Sequence, residues 1–161
     1  MTILRTMLVG DPSKGARRIP GLELRVLIAK AFSIPADAAE RIISLADNGP
    51  YLMPEHMRFR KLVDYWWDGD SILKRRKKEE EFPDCDDWQD VCLGQIKLGW
   101  AAANLHEPPA WGRLNYRPRG SDGAHAAPFL ICQDGAVWIY QPEARRWDMA
   151  KTAERVFTAR I

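Results

Sequence analysis

The chain is poor in cysteine, in long apolar runs and in net charge. It has 161 residues, three cysteines and a formal net charge of +2. An odd, sparse set of cysteines without a Cys-x-x-Cys pair argues against a secreted disulfide framework and against a thiolate zinc site. No apolar run approaches the roughly 20 residues of a membrane span, and the N-terminal stretch lacks the features of a cleaved signal peptide. These absences predict a soluble, cytoplasmic protein without a membrane partner, with viral or specialised secretion left open.

What is present is the composition of a globular protein. Hydrophobic residues make up 46% of the chain and charged residues 29%, enough for a real core at this length. The near-neutral charge points to no class of partner. Seven tryptophans are unusual for this size. Large aromatics usually belong to a core, although several together can line a groove.

Helical patterns come first along the chain and strand patterns later. Helices are predicted over 22–32, from Pro35 to Asn48-Gly49, over 53–70 and from 85 to about Gly99. A strand is expected near 112–117, then a hairpin of 125–132 and 136–140 around an Asp134-Gly135 turn, and a helix or strand at the end. This order predicts an α+β fold. We expect a helical N-terminal region, 1–70, packed on a core, 71–161, as one compact unit.

The stretch DCDDWQD places a thiol among carboxylates at a predicted helix start. Asp84 suits the N-cap, and the positive helix end favours a thiolate at Cys85. Asp86 and Asp87 oppose that anion, so a nucleophilic Cys85 requires a cationic neighbour. The alternative is that Cys85 is a small apolar side chain at a helix end. A metal site is disfavoured because the acids crowd one helical turn and no calcium loop is present.

His125 is the candidate neighbour for Cys85. It begins a predicted strand, and an imidazole beside a thiol gives the ion pair that thiol hydrolases use. A third group must orient the ring, and the hairpin register brings the end of the return strand opposite His125. Gln141 and Glu143 are both within reach of the ring at this point.

Three segments together resemble a known superfamily. They are CDDWQDVCLGQ (85–95), GAHAAPFLI (123–131) and DGAVWIYQPEA (134–144). A helix starting Cys-Asp-Asp-aromatic, a His-Ala strand and a hairpin ending in polar-Pro are similar to the papain-like and transglutaminase-like cysteine peptidases. They resemble bacterial transglutaminase-like cysteine proteinases and the papain-like domain of a fungal agglutinin.

The resemblance implies a papain-like core of one central helix and an antiparallel sheet. It implies Cys85 as nucleophile, His125 as base and Gln141 as the orienting residue, with no cofactor. The segment Gln141-Pro142-Glu143 departs from the Glu-Pro-Gln order of the related proteins, so Glu143 stays an alternative to Gln141.

Two functions of different classes follow. The first is a thiol-dependent hydrolase or acyltransferase acting on an amide bond of a protein or peptide. The alternative is an impaired scaffold of the same kind that binds or inhibits a protein, such as a phage or bacterial effector. Nucleic acid is an unlikely partner, because the acids in KRRKKEEE (74–81) nearly cancel its cations. The oligomeric state is not determined by the sequence.

The remaining cysteines and histidines have ordinary structural explanations. Cys92 lies two helical turns after Cys85, and Cys132 falls within a strand, so both are predicted in the core. His106 is predicted in a loop and His56 in an exposed helical turn.

Overall fold

The computed structural model describes residues 10–46, 49–68, 84–103 and 105–161, which form four α-helices and eight β-strands. The helices are α1 (Gly21–Ala31), α2 (Ala36–Ile42), α3 (His56–Trp66) and α4 (Cys85–Ala102). The strands are β1 (Arg17–Ile19), β2 (Ile43–Ser44), β3 (Tyr51–Met53), β4 (Trp111–Pro118), β5 (His125–Ile131), β6 (Val137–Gln141), β7 (Arg146–Met149) and β8 (Ala153–Arg160). A single turn of 3-10 helix, Ala150–Thr152, separates the last two.

Six strands form one sheet in the order β2-β8-β4-β5-β6-β7, and β1 pairs with β3 in a separate ribbon. Every pairing in the large sheet is antiparallel except that of β2 with β8. The mixed α+β class predicted from the sequence is therefore confirmed. Within the described ranges, no helix has the length and apolar character to cross a membrane.

The large sheet separates two cores, because alternate residues of a strand point to opposite faces. In β5, Phe129 and Ile131 pack with α1 and α2, while Leu130 packs with α3 and α4. All seven tryptophans lie in or against the second core. Helices thus cover both faces of the sheet, and one face is far richer in aromatic rings.

Helix α4 begins where the local sequence predicts. The Asp84 carboxylate accepts hydrogen bonds from the backbone N–H groups of Asp86 (3.0 Å) and Asp87 (3.2 Å), which satisfies two of the orphan donors of a helix start. The predicted end at Gly99 is wrong. Gly99 instead lets the Trp66 ring approach the helix, because a Cβ there would lie 2.7 Å from the ring, and the helix continues to Ala102.

Four strands were not predicted from the sequence, namely β1, β2, β3 and β7. The helix predicted to run to Asn48-Gly49 ends at Ile42, because Ile43 and Ser44 pair in parallel with β8. Two predictions lie outside the described residues: the basic and acidic run at 74–81 and the boundary after residue 70.

The two remaining cysteines are buried, as predicted. Burial raises the pKa of the Cys132 thiol to about 12 and that of Cys92 well above its usual range. The expected exposure of His56 is wrong. Its ring stacks on Trp138 with 4.3 Å between ring centroids and meets Trp147 edge-on.

Candidate functional site

Three elements meet at one end of the sheet. Cys85 is the first residue of α4, His125 begins β5, and Gln141 ends β6. These three side chains and Glu143 line one pocket of about 110 Å³, together with Trp88. The structure therefore brings the residues singled out from the sequence to the same pocket, although they come from separate parts of the chain.

The closest contact in this pocket joins His125 and Gln141, with 2.7 Å between Nε2 and Oε1. A side-chain amide oxygen only accepts, so Nε2 of His125 carries the proton in this contact. The amide nitrogen of Gln141 donates to the Tyr116 hydroxyl (2.9 Å) and to Oδ2 of Asp148 (3.2 Å). Both ends of the amide have partners of the correct type, which fixes its orientation.

Asp148 extends this network to a cation. The guanidinium of Arg146 donates two hydrogen bonds to the Asp148 carboxylate, at 2.9 and 3.0 Å, and this raises the pKa of Arg146. Burial raises the pKa of the Tyr116 hydroxyl, while its hydrogen bond with Gln141 opposes the shift. At neutral pH the Tyr116 hydroxyl is therefore protonated. We call the three hydrogen-bonded side chains of Tyr116, Gln141 and Asp148 the polar wall.

A second cavity of about 730 Å³ adjoins the first. The two share the side chains of His125, Gln141 and Arg146. The larger cavity is lined on its other sides by polar groups, among them Arg119, Ser121, Asp148, Lys151 and Thr152. It reaches Arg146 and Asp148 of β7, which is the edge strand of the sheet in the described part of the chain. We call the two cavities together the cleft.

The acids that flank Cys85 have a structural role. Asp84 caps α4, and acidic residues in a first helical turn suit the positive end of the helix. The thiol itself is half-buried, and within the described residues no hydrogen bond joins its sulfur to His125. Glu143 is exposed and lies outside the network of His125 and Gln141. The predicted roles of these side chains in a reaction stay a prediction.

Sequence reasoning missed Tyr116, Arg146 and Asp148. Tyr116 could be found by counting strand pairs, because it lies directly opposite His125 in the ladder of β4 and β5. The other two lie on β7, whose turn gives no glycine signal. Arg145 takes the left-handed conformation there, with φ of 50°, a role that sequence rules assign to Gly or Asn.

Comparison with known proteins finds relatives by structure and none by sequence. No family model matches the chain, and no curated protein matches it. Among solved structures, a complex of PSL1a with E64 is 19% identical with a TM-score of 0.63, and the match covers 89% of this chain and 50% of that one. A Polyporus squamosus lectin bound to the human-type influenza-binding epitope Neu5Aca2-6Galb1-4GlcNAc is 16% identical with a TM-score of 0.61, and the match covers 89% of this chain and 49% of that one.

These matches establish a likeness of fold to structures about twice as long as this chain. They contradict the resemblance to papain-like and transglutaminase-like cysteine peptidases, because the matches are to a lectin and neither description names a peptidase. The main functional prediction, a thiol-dependent hydrolase or acyltransferase, is contradicted on the same ground. The physical source of the error is the Cys-Asp-Asp pattern, which helix capping by Asp84 also explains. The finer prediction of a papain-like core is not confirmed, and the matches agree better with the alternative of a binding protein.

Proposed function

We propose that this protein is a binding module that holds an extended polypeptide segment of a partner protein in the cleft. The observation that carries the proposal is that the larger cavity, about 730 Å³, reaches the edge strand β7. An edge strand offers unpaired backbone groups, and an incoming peptide can pair with them as an added strand. In this proposal residues 1–70 supply support and residues 71–161 supply the cleft.

The polar wall gives the cleft a means of selecting its ligand. Gln141 is held by three hydrogen-bond partners, one of which, Asp148, is itself held by Arg146. Side chains locked in this way lose little conformational entropy when a ligand binds, so contacts to them contribute more to affinity. The half-buried Trp88 in the smaller cavity supplies an apolar surface beside them.

A carbohydrate ligand is the second candidate, and the lectin among the similar structures is the observation that favours it. Hydroxyl groups of a sugar would meet the same amide, carboxylate and guanidinium groups. The chain spans about half the length of that lectin. An identity of 16% supports a similar fold but not the same ligand, so we place this candidate second.

The test compares two defined probe sets on the full chain. A displayed library of random ten-residue peptides and an array of oligosaccharides are each screened with wild type and with Gln141→Ala. We expect peptide ligands whose affinity falls at least about tenfold in Gln141→Ala, which corresponds to roughly 1.4 kcal/mol. N-methylation of the peptide at alternate backbone nitrogens should weaken binding, as strand addition requires. Equal weakening by methylation at every backbone nitrogen would contradict binding as an added strand.

Two controls keep the result specific. Cys85→Ala should change affinity less than about twofold, because the polar wall and not the thiol is the proposed determinant. Glu40→Gln removes an exposed charge on α2 and should have no effect. Sugar binding that depends on Gln141, with no peptide bound, would favour the second candidate. Cleavage of a bound peptide, or a covalent adduct on Cys85 in intact-mass measurements, would overturn a function of binding alone.

A further inference from the structure

We propose that a second surface, on strands β4 and β8, binds single-stranded nucleic acid. We call it the arginine face and define it by Arg113, Arg117, Arg155, Phe157 and Arg160. It is built from residues that the cleft does not use, so this inference goes beyond the proposed function and does not depend on it.

The pairing register places the four arginines together. Arg113 lies opposite Arg160, and Arg117 lies opposite Arg155 in the antiparallel ladder of β4 and β8. Arg113 and Arg117 are four residues apart in β4, so they point to the same face. Leu114 in β4 points to the other face, into the core with α1 and α2. Two pairs of cations thus stand on one face of the sheet, about 13 Å apart along the strand.

The acids near these arginines neutralise them only in part. Asp90 forms a salt bridge with Arg113, and Glu154 approaches Arg117 at 3.4 Å. Arg155 and Arg160 have no salt bridge among the described residues. The surface therefore keeps a positive charge that suits a ligand with repeated negative charges.

A cavity of about 510 Å³ borders the arginine face, between α4 and the strands. Arg113 and Arg160 line it from the strands, and Lys97 lines it from α4; Asp90 also faces it. A basic groove beside a sheet can follow the backbone of a flexible polyanion.

The aromatic ring distinguishes nucleic acid from other polyanions. Phe157 is 40% exposed, and the guanidinium of Arg155 lies 5.5 Å from its ring centroid. Exposed aromatic rings among cations are the platforms on which single-stranded bases stack.

The surface was not visible as a motif in the sequence. Its arginines are spread over two strands separated by β5, β6 and β7, so no basic run marks them. The prediction that nucleic acid is an unlikely partner rested on the run at 74–81, which lies outside the described residues.

The experiment measures binding of a fluorescein-labelled 15-nucleotide oligothymidine by anisotropy, at several salt concentrations. We expect binding that weakens with salt, and a slope of log K against log salt that becomes shallower by about 1.4 in the double variant Arg155→Ala/Arg160→Ala, since each phosphate contact contributes about 0.7. Phe157→Ala should weaken binding about tenfold, within the range of base–aromatic stacking, and Phe157→Tyr should restore most of it.

Arg41→Ala is the matched control, because Arg41 is an exposed cation on α2, which packs on the opposite face of the sheet from the arginine face. Gln141→Ala must leave oligonucleotide binding unchanged, which separates a failure here from a failure of the cleft. Equal binding of a sulfated oligosaccharide of similar charge, or no effect of Phe157→Ala in a variant with unchanged circular dichroism, would overturn the proposal. Absence of salt-dependent binding at 50 mM salt or below would overturn it too.

Discussion

The two faces of the large sheet are covered by cores of different chemistry. On the side of α1 and α2 the buried residues are mostly aliphatic, with no tryptophan. On the side of α3 and α4 all seven tryptophans gather in or against one cluster. Aliphatic side chains carry no polar atoms and only need to fill space, whereas each indole brings an N–H that needs a partner when buried.

This difference bears on the cleft. The indole N–H of Trp67 donates to the carbonyl of Pro142 at 3.0 Å, one residue after Gln141. The aromatic side, which is the side of α3 and α4, thus fixes the segment that follows Gln141. Some of its polar atoms remain without a partner in the described residues, including the indole nitrogens of Trp111 and Trp147 and Nε2 of His56. Both sides position the candidate site, because Tyr116 of the α1 and α2 side accepts a hydrogen bond from Gln141 and Trp67 of the α3 and α4 side holds Pro142.

The largest expected effect comes from matched truncation of one phenylalanine on each side. Phe59 and Phe129 are both fully buried. Phe59 contacts two rings, Trp100 and Trp111, whereas the ring of Phe129 pairs with Phe32. We expect Phe59→Leu to lower the free energy of unfolding by about 3 kcal/mol and Phe129→Leu by about 2, since each aromatic pair contributes about 0.5–1.5 kcal/mol beyond burial.

Urea unfolding followed by tryptophan fluorescence and by far-ultraviolet circular dichroism measures both variants. Fluorescence reports on the aromatic side, where every tryptophan lies. Coincident transitions would show that the two sides unfold together. An equal loss in both variants would contradict the distinction drawn between the cores.

A smaller effect is expected from two glycines of α4. A Cβ at Gly99 would lie 2.7 Å from the Trp66 ring, whereas a Cβ at Gly94 meets nothing within 4 Å. Gly99→Ala should therefore destabilise the protein by about 1–2 kcal/mol through overpacking. Gly94→Ala should stabilise it by about 0.5–1 kcal/mol, because alanine has less backbone entropy to lose in a helix. Thermal unfolding of the two variants tests the contrast, which fails if both shift the midpoint in the same direction.

The smallest effect concerns the pH dependence of the aromatic side. Burial lowers the pKa of His56 below its usual value of 6.5, Arg60 lowers it further, and Asp134 opposes them. The unfolded chain then binds the proton more readily than the folded one, so stability should fall as the pH drops below about 6.5. His56 is only partly buried, and solvent screening keeps the loss to a few tenths of a kcal/mol. His56→Phe keeps the ring stack and should reduce the change in the urea midpoint between pH 7 and pH 5. A midpoint that changes with pH as much as in wild type would contradict this.

The features that the sequence predicted correctly depend on neighbours along the chain. The cap of α4 needs only Asp84 and the next residues. The hairpin of β5 and β6 turns at Gly135, with φ of 81°, and the Asp134 side chain accepts from the N–H of Ala136 at 2.9 Å. The burial of Cys92 and Cys132 followed from periodicity.

Other features could not be predicted because distant pairing decides them. Ile43 and Ser44 leave the helical pattern because β8 pairs with them from the far end of the chain. The Arg145 turn adopts a conformation that sequence rules reserve for Gly or Asn. The function predicted from three short segments failed because such segments also serve local structural purposes, as the acids of α4 do.

The sequence by itself determined the α+β class, the start of α4, the central hairpin and the presence of His125 and Gln141 near the first turn of that helix. Only the tertiary structure decided that Gln141 and not Glu143 contacts His125, that Tyr116, Arg146 and Asp148 complete the network, and that four arginines share one face. The physical reason is range. Caps, turns and periodicity are set by interactions within a few residues, whereas strand pairing and side-chain networks join residues that the chain itself keeps far apart.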